Sequence, residues 1–194
     1  MRAELSRGRA GREDGLSSDP ERQIRLLIEF KAHPHPGIVR RAAEVVNAGV
    51  SGDTSSDGLA RLDWSVPQGT SAVIVELGAN DMLRGIKPQI THDALDAILK
   101  RLTARHITVL LCGMRAAPNL GTDYGKAFEA IYPDLAAKHG TLLYPFFLDG
   151  VAGNLKLTQP DGMHPNPQGV DVIVERILPK VEELVVRAGA LPPS

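Results

Sequence analysis

From residue 45 onward, short apolar runs alternate with longer amphipathic ones, and that alternation leaves few folds open. Residues 45–50 (VVNAGV), 71–77 (SAVIVEL), 107–112 (ITVLLC) and 141–147 (TLLYPFF) have the length and apolar density of strands buried in a sheet. Between them lie helical patterns. Thr91 is placed to cap a helix that carries Leu95, Ile98, Leu99 and Leu102 on one face. Asp123 is placed to cap one with Phe128, Ile131 and Leu135. A last helix carries Val170, Ile173, Val174, Ile177, Val181 and Leu184, and Pro179 is expected to bend or split it. Strands and helices in this order predict βαβ units: an α/β fold with a mostly parallel central sheet and helices on both faces. In such sheets ligands bind beyond the carboxyl ends of the strands. Three loops meet that rule: 51–56, 78–81 and 148–165.

Composition narrows the function classes. Lys plus Arg is 22 against 23 Asp plus Glu, which argues against nucleic-acid binding through bulk charge. Cys112 is the only cysteine, so an internal disulfide and a cysteine-based metal site are both ruled out; its apolar surroundings place it in the core. No apolar stretch approaches the ~20 residues of a membrane span. Residues 1–15 are polar and arginine-rich, without a secretory apolar stretch, so the expectation is a soluble, cytoplasmic protein. The glycines at 49–52 are too few for a nucleotide-binding loop.

Residues 1–44 read differently. They hold eight arginines and the run His33-Pro34-His35-Pro36, which neither a helix nor an inner strand accepts. They form an atypical segment ahead of a domain spanning 45–188, with a tail at 189–194. One apolar stretch stands out, residues 24–30 (IRLLIEF), short enough for a strand or a helix.

The polar residues at the strand ends have complementary chemistry. In Asp161-Gly162-Met163-His164-Pro165, a carboxylate three residues before a histidine, with a glycine between, can turn back onto the imidazole. It would then fix the tautomer and leave the other nitrogen free to take a proton. The plainer reading is a turn opening a helix with Asn166 as N-cap. Gly52 and Asn80 offer a backbone N–H and a side-chain amide, suited to an oxyanion hole; each also reads as an ordinary turn residue.

These blocks carry a resemblance. The runs from Asn47 to Thr54, from Glu76 to Asp81 and from Asp161 to Pro165 resemble three of the four blocks of the SGNH (GDSL-type) hydrolases. Ile131-Tyr132-Pro133 and the run from Leu143 to Phe147 are similar to the small bacterial arylesterase, lysophospholipase and acyl-CoA thioesterase I branch. The similarity covers about residues 45–185. It implies a flavodoxin-like three-layer fold and a serine nucleophile acting on a small-molecule ester or thioester, with no metal or cofactor. Relatives of this branch are often periplasmic or secreted. By this matching Gly52 and Asn80 form the oxyanion hole, Asp161 is the acid and His164 the base. The first block, Gly-Asp-Ser-Leu after the first strand, is absent. The nearest candidates for the nucleophile are Ser17 and Ser18; Ser51 and Ser55 read as loop hydrogen-bonders. The alternative is a relative that keeps the pocket without a nucleophile. The change of composition near Ala43 also resembles an out-of-frame reading of a GC-rich gene, which the other two frames of the coding DNA would reveal.

The implied strand order 2-1-3-4-5 raises a folding question, because its first strand lies between the second and third. Residues 24–30 are the local candidate for that slot. If they fill it, Lys31-Ala32-His33 stands where the nucleophile turn belongs.

Overall fold

In the computed structural model, residues 23–27 and 44–189 are described, the side chains of 23–27 and 44 excepted. Ser17, Ser18 and the motif at residues 31–36 lie outside them.

A five-stranded parallel sheet forms the centre. The strands are β1 (Gln23–Leu27), β2 (Glu44–Asn47), β3 (Thr70–Glu76), β4 (Thr108–Cys112) and β5 (Leu142–Tyr144), in spatial order β2-β1-β3-β4-β5. The slot between β2 and β3 is therefore filled from the stretch 24–30, as a strand and not a helix. Leu26 pairs with Asn47 on one side and Ile74 on the other. Filling it removes two unpaired inner edges, which would otherwise expose rows of backbone donors and acceptors.

Among the described residues there are six α-helices: α1 (Ser55–Ala60), α2 (Leu62–Ser65), α3 (Ala79–Leu83), α4 (Pro88–Ala104), α5 (Thr122–His139) and α6 (Pro167–Arg187). β3 is buried on both faces: Ala72, Val73 and Val75 have no accessible surface, as a strand covered by helices requires. Leu95, Ile98, Leu99 and Leu102 on α4 and Phe128, Ile131 and Leu135 on α5 are buried in the same core. Each such side chain contributes about 1.5–3 kcal/mol by leaving water. α4 and α5 pack together and α6 packs on β4 and β5, giving the three-layer flavodoxin-like fold. Cys112 is fully buried, and burial holds its thiol protonated well beyond the ordinary range. No helix among the described residues is long and apolar enough to cross a membrane.

Five local expectations are corrected. Residues 78–81 are not a loop, because α3 begins at Ala79 and carries Asn80 and Asp81. Thr91 does not cap α4; that helix starts at Pro88, whose missing N–H costs nothing in the first turn, and Thr91 lies inside, buried. Asp123 sits in the first turn of α5, and Gly121 is the N-cap. Pro179 does not split α6, which runs unbroken to Arg187. Pro179 is exposed, so the carbonyl it leaves unbonded can reach water, while Ile173, Ile177, Leu184 and Val185 bury the opposite face on both sides of it. Residues 51–56 are not all loop, because α1 begins at Ser55.

Candidate active site

The acid–base loop is built from its own short-range bonds. Gly162 takes a positive φ of 70°, a conformation that favours glycine, and its N–H donates to the Gln159 carbonyl at 2.9 Å. That turn brings the Asp161 carboxylate back over the next residues. It accepts from the Met163 N–H at 2.9 Å, the His164 N–H at 3.0 Å and the His164 Nδ1–H at 2.7 Å. The His164 carbonyl accepts from the Gln159 N–H at 2.7 Å, so His164 is tied at its backbone as well as its ring. The plainer reading of the motif also holds: the Asn166 side chain accepts from the Gly169 N–H and caps α6. Cap and dyad coexist, because Asn166 and Asp161 act on opposite sides of His164.

The electrostatics follow from those bonds. The imidazole of His164, then the two backbone N–H groups, hold the Asp161 carboxyl down at about 2. Asp161 is thus ionised at neutral pH. With Nδ1–H directed at this carboxylate, Nε2 is the acceptor nitrogen. No described side chain hydrogen-bonds His164 Nε2.

The other side of the site is built on longer-range bonds. Gly52, at φ 83°, lies in the loop between β2 and α1. Thr54 then caps α1 through a capping box with Asp57, whose carboxyl is lowered by the Thr54 backbone and hydroxyl. Asn80 Nδ2–H donates to the Asp53 carbonyl at 3.0 Å, joining the loop after β2 to the first turn of α3. Below them lies Asp81, with no accessible surface. It accepts from the Ser55 N–H at 2.7 Å, the Ser55 hydroxyl at 2.5 Å and the Thr91 hydroxyl at 3.0 Å. Ser55 is therefore a structural hydrogen-bonder.

Asn80 and His164 share one cleft of about 310 Å3. Gly52 does not line this cleft; it precedes Asp53, whose carbonyl Asn80 holds. Met82, Met114 and Phe147 supply buried apolar wall, and Arg115 and Phe146 also line the cleft. Arg115 and Met114 were missed from sequence. They stand just after β4, so the rule that singled out the other strand-end loops points to them too. Among the described residues no three His, Cys, Asp or Glu side chains cluster to hold a metal ion.

Comparison with known proteins gives the family and the fold. The sequence model of the GDSL-like Lipase/Acylhydrolase family matches residues 30–172. Esterase TesA of Pseudomonas aeruginosa is 40% identical over 142 residues, which are 73% of this chain and 71% of that protein. The Escherichia coli K12 protein "Thioesterase 1/protease 1/lysophospholipase L1" is 42% identical over 142 residues, 73% of this chain and 68% of that one. Among solved structures, AlinE4, an SGNH-hydrolase family esterase, superposes with a TM-score of 0.64 at 37% identity, over 89% of this chain and 97% of its own.

Proposed function

The chain belongs to the GDSL-like Lipase/Acylhydrolase family, and from that premise we propose that it hydrolyses short acyl or aryl esters, lysophospholipids or acyl thioesters through an acyl-enzyme. The observation that carries this reading is the 2.7 Å bond from His164 Nδ1–H to Asp161, on the wall of a cleft that also presents Asn80. His164 Nε2 takes the proton of a serine hydroxyl as its oxygen attacks the ester carbonyl. Asp161 keeps the ring in the right tautomer and stabilises the imidazolium that forms. The Gly52 N–H and the Asn80 amide receive the oxyanion; one such donor is worth roughly 2.7–4 kcal/mol of transition-state stabilisation. His164 returns its proton to the leaving group, then activates the water that frees the acyl chain. Ser18 or Ser17 is the proposed nucleophile.

A second reading, a pocket that binds acyl ligands without turning them over, has one specific support. The stretch from Ile28 to Ala43, directly after β1, contains no Ser, Thr or Cys. β1 lies between the strands that lead to Gly52 and Asn80, so this is the chain position where a nucleophile would follow. Ser17 and Ser18 precede β1 instead. Labelling the full chain with a fluorophosphonate and mapping the adduct by mass spectrometry separates the two. An adduct on Ser17 or Ser18, lost in the His164→Ala variant, is the expected result. No adduct, together with binding of an ester that is never hydrolysed, establishes the second reading.

A further inference from the structure

The seven arginines with described side chains differ in how their guanidinium groups are used. Arg61 binds Asp53 and the Ala48 carbonyl, and Arg84 and Arg105 donate to backbone carbonyls. Arg101, Arg176 and Arg187 pair with Asp63, Asp149 and Glu183. Arg115 makes no hydrogen bond or ion pair among the described residues. Its guanidinium carbon stands 4.7 Å from the centre of the Phe146 ring, and both residues line the cleft. Stacking holds the group in place while its five N–H donors stay free. Of the carboxylates close to the cleft, Asp161 is committed to His164 and Glu76 is buried at the end of β3. The cleft therefore combines buried apolar wall at Met82, Met114 and Phe147 with one exposed, uncommitted cation.

We propose that Arg115 is a specificity-determining residue: it receives an anionic, phosphate-bearing leaving group while the acyl chain lies along Met82, Met114 and Phe147. The proposal rests on the ester- or thioester-hydrolase reading above. A planar guanidinium meets two phosphate oxygens at once, which neither an ammonium nor an amide can do. A neutral leaving group gains nothing from it.

Direct binding tests this without needing turnover. S-hexyl-coenzyme A, a thioether that cannot be hydrolysed, hexylphosphocholine and the neutral 4-nitrophenyl hexyl ether are each titrated into the full chain and into its Arg115→Gln and Arg115→Lys variants. Arg115→Gln should weaken a phosphate-bearing probe by about 10- to 100-fold and the neutral ether far less; Arg115→Lys should recover part of the loss. Added salt should weaken binding of that probe to the wild type more than to Arg115→Gln. Loss for both phosphate-bearing probes assigns a general phosphate site, and loss for one alone assigns that leaving group. Equal weakening of phosphate-bearing and neutral probes overturns the proposal, as does a wild type that binds neither phosphate-bearing probe. A wild type that binds S-hexyl-coenzyme A through Arg115 yet hydrolyses no ester overturns the hydrolase reading and with it the leaving-group role, and leaves Arg115 as the phosphate-binding residue of a pocket without turnover.

Discussion

Asp81 and Asp161 each accept three hydrogen bonds, from backbone and side chain, yet the two aspartates differ in everything else. Asp81 is fully buried, and its partners come from residues 26 and 10 positions away. From α3 it fastens the first turns of α1 and α4, next to Asn80. Asp161 is 37% exposed at its side chain and draws every partner from the next three residues. A buried carboxylate with long-range partners is a fastening, because removing it leaves several donors with no acceptor and no water. A solvent-facing carboxylate with local partners contributes little to the fold. It is free to act on the one group it aims, the imidazole of His164. The number of hydrogen bonds does not separate the roles; burial and sequence distance do.

This contrast breaks most visibly at Asp161. Asp161→Asn keeps the shape but favours the wrong histidine tautomer, and should lower kcat by roughly 10⁴-fold, about 5.5 kcal/mol of barrier. Its urea midpoint should stay near wild type. Asp81→Ala should do the reverse, costing about 3–5 kcal/mol of stability by stranding the donors of Ser55 and Thr91; urea unfolding reads it directly. If Asp161→Asn unfolds the protein more than Asp81→Ala does, the division of roles is wrong. Asn80 lies between the two regions. Asn80→Ala should lower kcat by about 10²–10³-fold with KM little changed, as expected for a donor used chiefly in the transition state.

The smallest effect is a pH dependence. The Asp161 carboxyl is held at about 2 in the fold against an ordinary 3.8. The folded state thus favours the ionised form, and the stability this adds is complete above about pH 4 and lost as pH falls towards 2. The melting-temperature difference between wild type and Asp161→Asn should therefore shrink over that interval. Any ionisation seen in the rate above that interval belongs to another group.

The same contrast explains what was legible in the sequence. The Asp161–His164 pair and the Asn166 cap could be read because they depend on neighbouring residues, and the strands because of their hydrophobic period; their order β2-β1-β3-β4-β5 followed only from the family resemblance. That order made residues 24–30 the local candidate for β1, with a helix as the alternative, and the strand is what forms. The Asp81 network could not be read: nothing in Ser55 or Thr91 alone signals a partner far along the chain. Thr91 carried a false signal, a helix-capping residue near a helix start, where burial beside Asp81 was the stronger demand. Arg115 gave no signal by type, because an arginine in a loop is ordinary until its neighbours are seen to leave it unpaired.

The central claim is that His164, aimed by Asp161, activates an attacking oxygen in this cleft. Hydrolysis of 4-nitrophenyl butyrate by the full chain and by His164→Ala, with folding of both checked by circular dichroism, tests it most directly. The account predicts turnover by the wild type and a loss of at least about 10³-fold in the variant. Equal rates for the two proteins, or a folded wild type that shows no turnover, would contradict it.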